Sequence, residues 1–277
     1  MTTSRRAHPE TPGFLRDAGR AIGGALVFSL PMLMTMEMWQ LAYTMDAWRL
    51  AVLLAVAVPL LVGLSHVIGI EDRRNLADTA MDAFFALGIA ACTSAIVLTT
   101  LGVLAPGMSA DEVAGKIAIQ SVPAAIGALL ARSQLGDADD DALDEREETY
   151  GGELFLMAVG ALFLGFNLAP TEEMILISYQ MSEWHAIVLI AISVAAMHGF
   201  VFAVEFKGGS ELSEETPWWS ALLRFTLPGY AIAALISLFL LWVFGRTDGL
   251  GLEMIVMAVV VLAFPSAIGA AAARLIL

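Results

Sequence analysis

Apolar runs of about twenty residues recur along the whole chain, and this feature restricts the possible folds more than any other. A run of that length crosses the hydrocarbon of a bilayer as an α-helix. A membrane strand would be about half as long and would alternate polar with apolar residues, which these runs do not. Hydrophobic residues make up 58% of the 277 positions and charged residues only 15%. The sequence therefore predicts an all-α membrane protein.

The apolar runs number about eight, and polar segments separate them. Their approximate bounds are residues 20–44, 48–70, 79–104, 111–132, 152–179, 184–205, 217–244 and 252–276. A polar cytoplasmic tail, residues 1–19, is predicted before the first run. Residues 134–151 form an acidic linker with eight acids between Asp137 and Glu148, a composition that cannot bury a core.

Two stretches of the chain repeat in register and predict an internal duplication. Residues 35–48 and 171–184 align without a gap at an offset of 136, with six identities in fourteen positions. Residues 123–132 and 265–274 align at an offset of 142, with seven identities in ten. The chain is therefore predicted to be a tandem duplication of a four-helix unit, with units at 20–133 and 152–277.

The even number of helices in each unit sets the predicted topology. Both units then enter the membrane from the same side, so they are parallel repeats related by an axis along the membrane normal. With the N-terminus cytoplasmic, eleven Lys and Arg residues fall on the inner side and three, Arg49, Lys116 and Arg246, on the outer side. Because basic residues favour cytoplasmic segments, both termini and the linker are predicted to be cytoplasmic.

Two glutamates, Glu37 and Glu173, occupy equivalent positions in the repeated stretch and fall inside apolar runs. A charged group in a bilayer costs about 2.5–3.5 kcal/mol on insertion scales, so such acids usually face protein or water and serve a function. Each is predicted about two-thirds of the way along its helix, at equal depth. We expect the two carboxylates to face each other across a central seam and to share a proton or a cation.

Other oxygen ligands are predicted near these acids. A proline precedes each one and leaves an upstream carbonyl without its helical donor. The side chains of Thr35, Thr171, Glu172 and Asn167 could complete a site for a hard cation. The alternative is that the acids are protonated and hydrogen-bonded between helices as packing contacts.

Two histidines, His66 and His198, are predicted near the cytoplasmic ends of the second and sixth helices. An imidazole titrates near neutral pH, so the pair could relay protons. Interior histidines with satisfied hydrogen bonds are the alternative interpretation.

Several function classes find no support in the sequence. The single cysteine excludes a disulfide framework and a multi-cysteine metal site, and neither a metal nor a cofactor is predicted. No nucleophile elbow, phosphate loop, zinc-protease motif or dinucleotide fingerprint is present, so we expect no enzyme. The 14 basic residues form no cluster, which argues against nucleic-acid binding.

The sequence Phe28-Ser29-Leu30-Pro31, followed by Thr35-Met36-Glu37-Met38-Trp39, resembles the first helix of an uncharacterised bacterial family of integral membrane proteins, a domain of unknown function. The resemblance covers most of the chain. It implies a multi-pass protein of the bacterial inner membrane and carries over no activity, substrate or site residue.

The sequence thus favours a permease or channel for a cation, protons included, that uses the paired glutamates. The alternative is a non-transporting membrane scaffold or sensor whose acidic linker binds a basic partner or divalent ions. The lipid bilayer is the expected surrounding, and a homo-oligomer is left open.

Overall fold

A computed structural model describes residues 11–68, 75–135, 149–205 and 218–276, and within them the chain is helical and contains no strand. The first half consists of α1 (Thr11–Leu33), α2 (Met36–Thr44), α3 (Ala47–Ile68), α4 (Leu76–Thr100) and α5 (Ala110–Leu135). The greater part of the predicted linker and the first ten residues of the predicted tail lie outside the described residues.

The second half begins with α6 (Tyr150–Leu168), α7 (Glu173–Gln180) and α8 (Glu183–Glu205). A short α9 (Trp218–Ala221) then passes through a π-helical turn, Leu222–Thr226, into α10 (Leu227–Val243). The last helix is α11 (Leu252–Ile276).

Seven helices of the described chain are long and apolar enough to cross a membrane, and the count is eight if α1 and α2 are taken as one broken span. The predicted all-α membrane fold is confirmed. Two predicted helix bounds are wrong. The run at 20–44 is not one helix, because α2 turns 83° away from α1. The run at 152–179 also breaks, after Leu168, and resumes as the short α7.

The same succession of helices, long, short, long, long, long, occurs in both halves when α9, the π-helical turn and α10 are counted as one continuous helix. The central helix of each half is its last one. In the membrane-spanning part of α5, 72% of the residues are buried, and in that of α11 61% are. The corresponding shares are 28% in α3 and 17% in α8. The packing partners also correspond, since α5 contacts α1, α2, α3 and α4, and α11 contacts α6, α7, α8 and α10. The two halves therefore correspond in helix order and packing, and the duplication itself stays a prediction.

The two halves contact each other less extensively than the helices pack together within each half. Across the seam, α3 packs on α6 and α10, and α5 packs on α6. One such contact places the Phe155 ring against Gly63 of α3, where a Cβ atom would lie 2.7 Å from the ring. The helices alternate in direction, so α1 begins where α5 and α11 end. We call that end of the bundle the terminal face, and the end that holds α2 and α7 the opposite face.

Candidate functional site

The break between α1 and α2 places Glu37 outside any membrane-length helix. Thr35 has extended dihedral angles, φ −97° and ψ 120°, and α2 starts after it in a new direction. Glu37 lies in the first turn of α2 and is half-buried. Its predicted position two-thirds of the way along a continuous helix is therefore wrong.

The carbonyl groups released by this break already have hydrogen-bond donors. Thr35 Oγ1 donates to Pro31 O at 2.5 Å, and Trp39 Nε1 donates to Leu33 O at 2.8 Å. Gln120 of α5 donates from Nε2 to Met32 O at 3.0 Å. A hydrogen bond to each carbonyl leaves it less available to a cation, so this break is a satisfied structural corner.

The second half has an equivalent break between α6 and α7. Thr171 Oγ1 donates to Leu168 O at 2.9 Å, and the Asn167 amide donates from Nδ2 to Phe163 O at 2.8 Å. Arg246, from the loop before α11, donates to Pro170 O. Thr35, Thr171 and Asn167 thus bond local backbone, while the buried Asn167 Oδ1 has no hydrogen-bond partner in the described chain.

Beside this second break is an acidic cavity of about 560 Å³ on the opposite face. Its charged lining residues are Glu172, Glu173, Asp248 and Arg246, and the ring of Tyr179 also lines it. Three carboxylates and one guanidinium line it, and Arg49 from outside the lining pairs with Asp248, so one negative charge is left in excess. Of the predicted ligands, the structure therefore brings Glu172 and Glu173 together, and it adds Asp248.

The carboxylates of the acidic cavity differ in their bonding. Arg49 Nη2 donates to Asp248 Oδ1 at 2.9 Å, and Arg246 Nη1 lies 3.9 Å from Glu172 Oε1. Glu173 is exposed, and no described residue donates a hydrogen bond to it or pairs with it. It is the carboxylate of this cavity that is available to a ligand.

The first half has a corresponding cavity of about 430 Å³ beside α2, but it is not acidic. Its charged lining residues are Glu112 and Lys116, which pair at 2.8 Å. Lys116 also donates to Val103 O at 3.2 Å and lies 5.9 Å from the centre of the Tyr43 ring. Glu37 does not line this cavity, although Met36 does. The two halves therefore differ in charge at equivalent positions.

The seam between the halves holds a third cavity, of about 500 Å³, which we call the seam cavity. It is lined by α1, α5, α6 and α11 with Gly, Ala, Val, Leu and Phe residues, and neither Glu37 nor Glu173 is among them. Both acids sit on short helices held by separate halves, α2 on α5 and α7 on α11. This arrangement gives the expected facing of the two carboxylates no support.

The two histidines differ in their surroundings. His66 is exposed in the last turn of α3. His198 is half-buried, and its Nδ1 lies 3.0 Å from Oγ1 of the fully buried Thr226 in the π-helical turn. The Tyr150 hydroxyl donates to Arg224 O of the same turn at 2.8 Å. His198 thus contacts a helical irregularity, a feature that is often found at functional sites.

A polar clamp joins the halves at the opposite face, and the sequence did not predict it. The Arg49 side chain is 12% exposed and donates to Trp242 O at 3.0 Å and to Asp248 at 2.9 Å. It also lies 5.6 Å and 5.7 Å from the ring centres of Trp48 and Trp242. These four residues are called the clamp below.

One signal in the sequence could have located these contacts. Arg49, Lys116 and Arg246 are the three basic residues that the predicted topology leaves on the outer side. Each of them bonds a backbone carbonyl of another segment, those of Trp242, Val103 and Pro170. The basic residues on the side that the positive-inside rule disfavours therefore indicated which side chains bond the backbone at the opposite face.

Among the described residues, no group of three or more His, Cys, Asp or Glu side chains could hold a metal ion. The sequence model of a family described as "Putative integral membrane protein (DUF2391)" matches residues 17–277. No curated protein and no solved structure gave a match. The matched region begins within α1 and includes every later helix. The chain therefore belongs to this family of integral membrane proteins.

Proposed function

We propose that the protein is a permease for a cation, and that the cation binds in the acidic cavity beside α7. The observation that carries this proposal is the excess of carboxylates there, with Glu173 available. A cavity lined by one sign of charge raises the local concentration of the opposite ion. The role is one of binding and translocation without an enzymatic reaction.

The size and walls of the acidic cavity favour a hydrated or organic cation over a bare ion. Its volume of about 560 Å³ exceeds what one ion and its ligands need. A water molecule occupies about 30 Å³ in the liquid, so several could surround an ion there. The Tyr179 ring in the wall offers a cation–π surface to an ammonium group.

The proposal changes the role of the paired glutamates. Glu172 and Glu173 remain ion-binding candidates because both line the acidic cavity. Glu37 is its partner in the repeat but lines no equivalent acidic cavity. We infer a single cation site, in the second half, in place of one site shared by two glutamates.

The proposed setting is the bacterial inner membrane with both chain termini in the cytoplasm. The acidic cavity lies at the loop between α10 and α11, on the face away from the termini. In this orientation it opens outwards. The positive-inside distribution of Lys and Arg supports the orientation.

The test is cation flux into liposomes that contain the purified protein, measured for H⁺, Na⁺, K⁺ and tetramethylammonium. For the cation that is carried, Glu173→Gln should lower flux about tenfold at low concentration, which corresponds to a loss of ~1.4 kcal/mol in binding. Glu37→Gln is the matched control and should leave flux unchanged. Absence of flux with all four ions, or equal effects of the two variants, contradicts the proposal.

The scaffold or sensor alternative depends on the acidic linker, and the greater part of that linker lies outside the described residues. No structural observation favours it. A variant in which a neutral segment replaces the linker distinguishes it from the permease proposal.

A further inference from the structure

The walls of the acidic cavity are part charged and part apolar. Besides its charged groups, the cavity is lined by the aliphatic side chains of Ile175, Leu176 and Leu250 and by the ring of Tyr179. Three of these four residues belong to α7, which also carries Glu173. A ligand that fills the cavity therefore touches a carboxylate and apolar side chains at the same time.

The charge left in excess in this cavity is that of one carboxylate. Arg246 lies 3.9 Å from Glu172, and Arg49 pairs with Asp248 at 2.9 Å. Glu173 is the carboxylate that these two guanidinium groups leave uncompensated. A monovalent cation balances this charge, whereas a divalent ion would replace a negative excess with a positive one.

A bare metal ion finds few ligands around the cavity. Such an ion exchanges its hydration shell for about six oxygen ligands in the case of Mg²⁺ or Ca²⁺, and for rings of carbonyl groups in the case of K⁺. At the neighbouring helix break, however, Pro170 O accepts from Arg246, and Leu168 O accepts from Thr171. The described part of the chain also holds no group of three or more His, Cys, Asp or Glu side chains that suits a metal ion.

An alkylammonium ion meets each of these conditions. It carries a single charge, and a quaternary nitrogen needs no oxygen ligands because carbon atoms surround it. Its alkyl groups gain free energy when they leave water for an aliphatic wall. Its positive charge is attracted to the face of an aromatic ring, which Tyr179 supplies here.

The neutral cavity of the first half provides an internal comparison. Four lining positions of the two cavities correspond at the repeat offset of 136, namely Met36, Trp39, Gln40 and Tyr43 in one and Glu172, Ile175, Leu176 and Tyr179 in the other. The tyrosine ring is common to both cavities, whereas Leu176 stands where the first half has Gln40. The acidic cavity thus combines a carboxylate in excess with an aliphatic side chain at this position.

We propose that the cation of the acidic cavity is a monovalent organic ammonium ion that carries an apolar group. The nitrogen lies at Glu173 and against the Tyr179 ring, and the apolar group lies along Leu176. The volume of about 560 Å³ is in the range of pockets for small organic ligands, which is about 300–1,000 Å³. This inference rests on the proposed function and names the substrate class of the same site.

The test is displacement of radiolabelled butyltrimethylammonium from the purified full chain in detergent. The competitors are unlabelled butyltrimethylammonium, tetramethylammonium and K⁺, which all carry one positive charge. Each buried methylene group should raise the affinity about fourfold. We therefore expect butyltrimethylammonium to bind about tenfold or more tightly than tetramethylammonium, and K⁺ to bind most weakly. Equal affinities of the two quaternary ions, or tighter binding of K⁺, would overturn the inference.

Two substitutions taken from the comparison of the cavities locate the contacts. Tyr179→Leu should lower the affinity for tetramethylammonium about threefold, and Tyr43→Leu is the matched control in the neutral cavity. Leu176→Gln introduces the first-half residue and should bring the affinities of the two quaternary ions close together, whereas Gln40→Leu should change neither. All four side chains are exposed, so these variants leave the packed core intact.

The outcomes separate this inference from the proposed function. Liposomes that carry Na⁺ or K⁺ in a manner that depends on Glu173, with no binding of butyltrimethylammonium, would overturn the inference and leave the cation permease. Binding of butyltrimethylammonium that Glu173→Gln weakens about tenfold, without flux of any cation, would refute the permease and retain the ligand class. Unchanged binding in both Tyr179→Leu and Leu176→Gln would place the ligand outside this cavity and contradict the inference.

Discussion

Gly24 of α1 and Gly127 of α5 pack backbone against backbone. A Cβ atom placed on either glycine would clash with the carbonyl oxygen of the other. Gly160 of α6 and Gly269 of α11 form the same contact in the second half. Gly160 follows Gly24 by 136 residues, and Gly269 follows Gly127 by 142 residues. These are the offsets of the two sequence repeats. Small residues at such crossings let membrane helices approach closely.

Alanine at these crossings should destabilise the protein. In Gly24→Ala or Gly160→Ala the new methyl group meets a rigid backbone carbonyl, and such overpacking typically costs about 1–3 kcal/mol. Gly23→Ala is the control, because its Cβ meets nothing within 4 Å. There alanine should stabilise the helix by up to ~1 kcal/mol. Thermal unfolding in detergent measures the difference, and equal melting temperatures for Gly24→Ala and Gly23→Ala would refute the contact.

The clamp should couple Arg49 to Asp248 energetically. Arg49→Gln removes the bond to Trp242 O and the ring contacts as well as the ion pair, so it should cost more than Asp248→Asn. We expect about 1–3 kcal/mol for Arg49→Gln. A double-mutant cycle, read as the free energy of unfolding, should give a coupling energy above ~0.5 kcal/mol. Strict additivity would show that the ion pair contributes nothing, as is found for many exposed pairs.

Removal of the contact between His198 and Thr226 distinguishes a structural role of His198 from a role as a proton relay. Thr226→Val removes the hydroxyl from a fully buried position and should cost ~1 kcal/mol in the free energy of unfolding. If His198 relays protons, the pH dependence of flux should also shift in Thr226→Val. If it only supports the π-helical turn, stability should fall and the pH profile should stay. His66→Gln is the control for an exposed histidine and should not change stability.

The acidic linker distinguishes the two function classes. Replacing residues 137–148 with a neutral Gly/Ser segment of equal length removes eight acids and keeps the connection between the halves. A permease should keep its cation flux in liposomes. A scaffold or sensor should no longer bind its basic partner or divalent ions. Calorimetry with Ca²⁺ measures the binding of divalent ions. Loss of flux in this variant would place the linker in the transport pathway, against our proposal.

Much of the fold could be predicted from periodicity and length alone. Six of the eight predicted helices, for example 48–70 and 252–276, agree with α3 and α11 within a few residues. The two bounds that failed are the runs with Glu37 and Glu173. Hydropathy registers how apolar a segment is but not its direction, so a bend of 83° inside an apolar run leaves little trace in it. Pro31 and Pro170 marked the vicinity of both breaks but not their angle.

The candidate site was only partly predictable, since ligands from distant segments had to meet. Glu172 and Glu173 follow from the sequence because acids in apolar runs are rare. Asp248 and Arg246, which share their cavity, lie more than seventy residues away in a loop, where charged residues are ordinary. The seam cavity could not be predicted from the sequence either, since its glycines and alanines are common packing residues of helices.

The sequence by itself determined that the chain is an all-α membrane protein, because runs of about twenty apolar residues have one stable conformation in a bilayer. It also contains two pairs of stretches that repeat in register, from which an internal duplication is predicted. Only the tertiary structure decided that Glu37 and Glu173 leave their long helices and that one half has an acidic cavity while the other has a neutral one. The charge of each cavity depends on which segments meet there, since Asp248 and Arg246 join Glu173 in one cavity and Glu112 and Lys116 line the other. That choice is made by contacts between residues far apart in the chain, which no local pattern encodes.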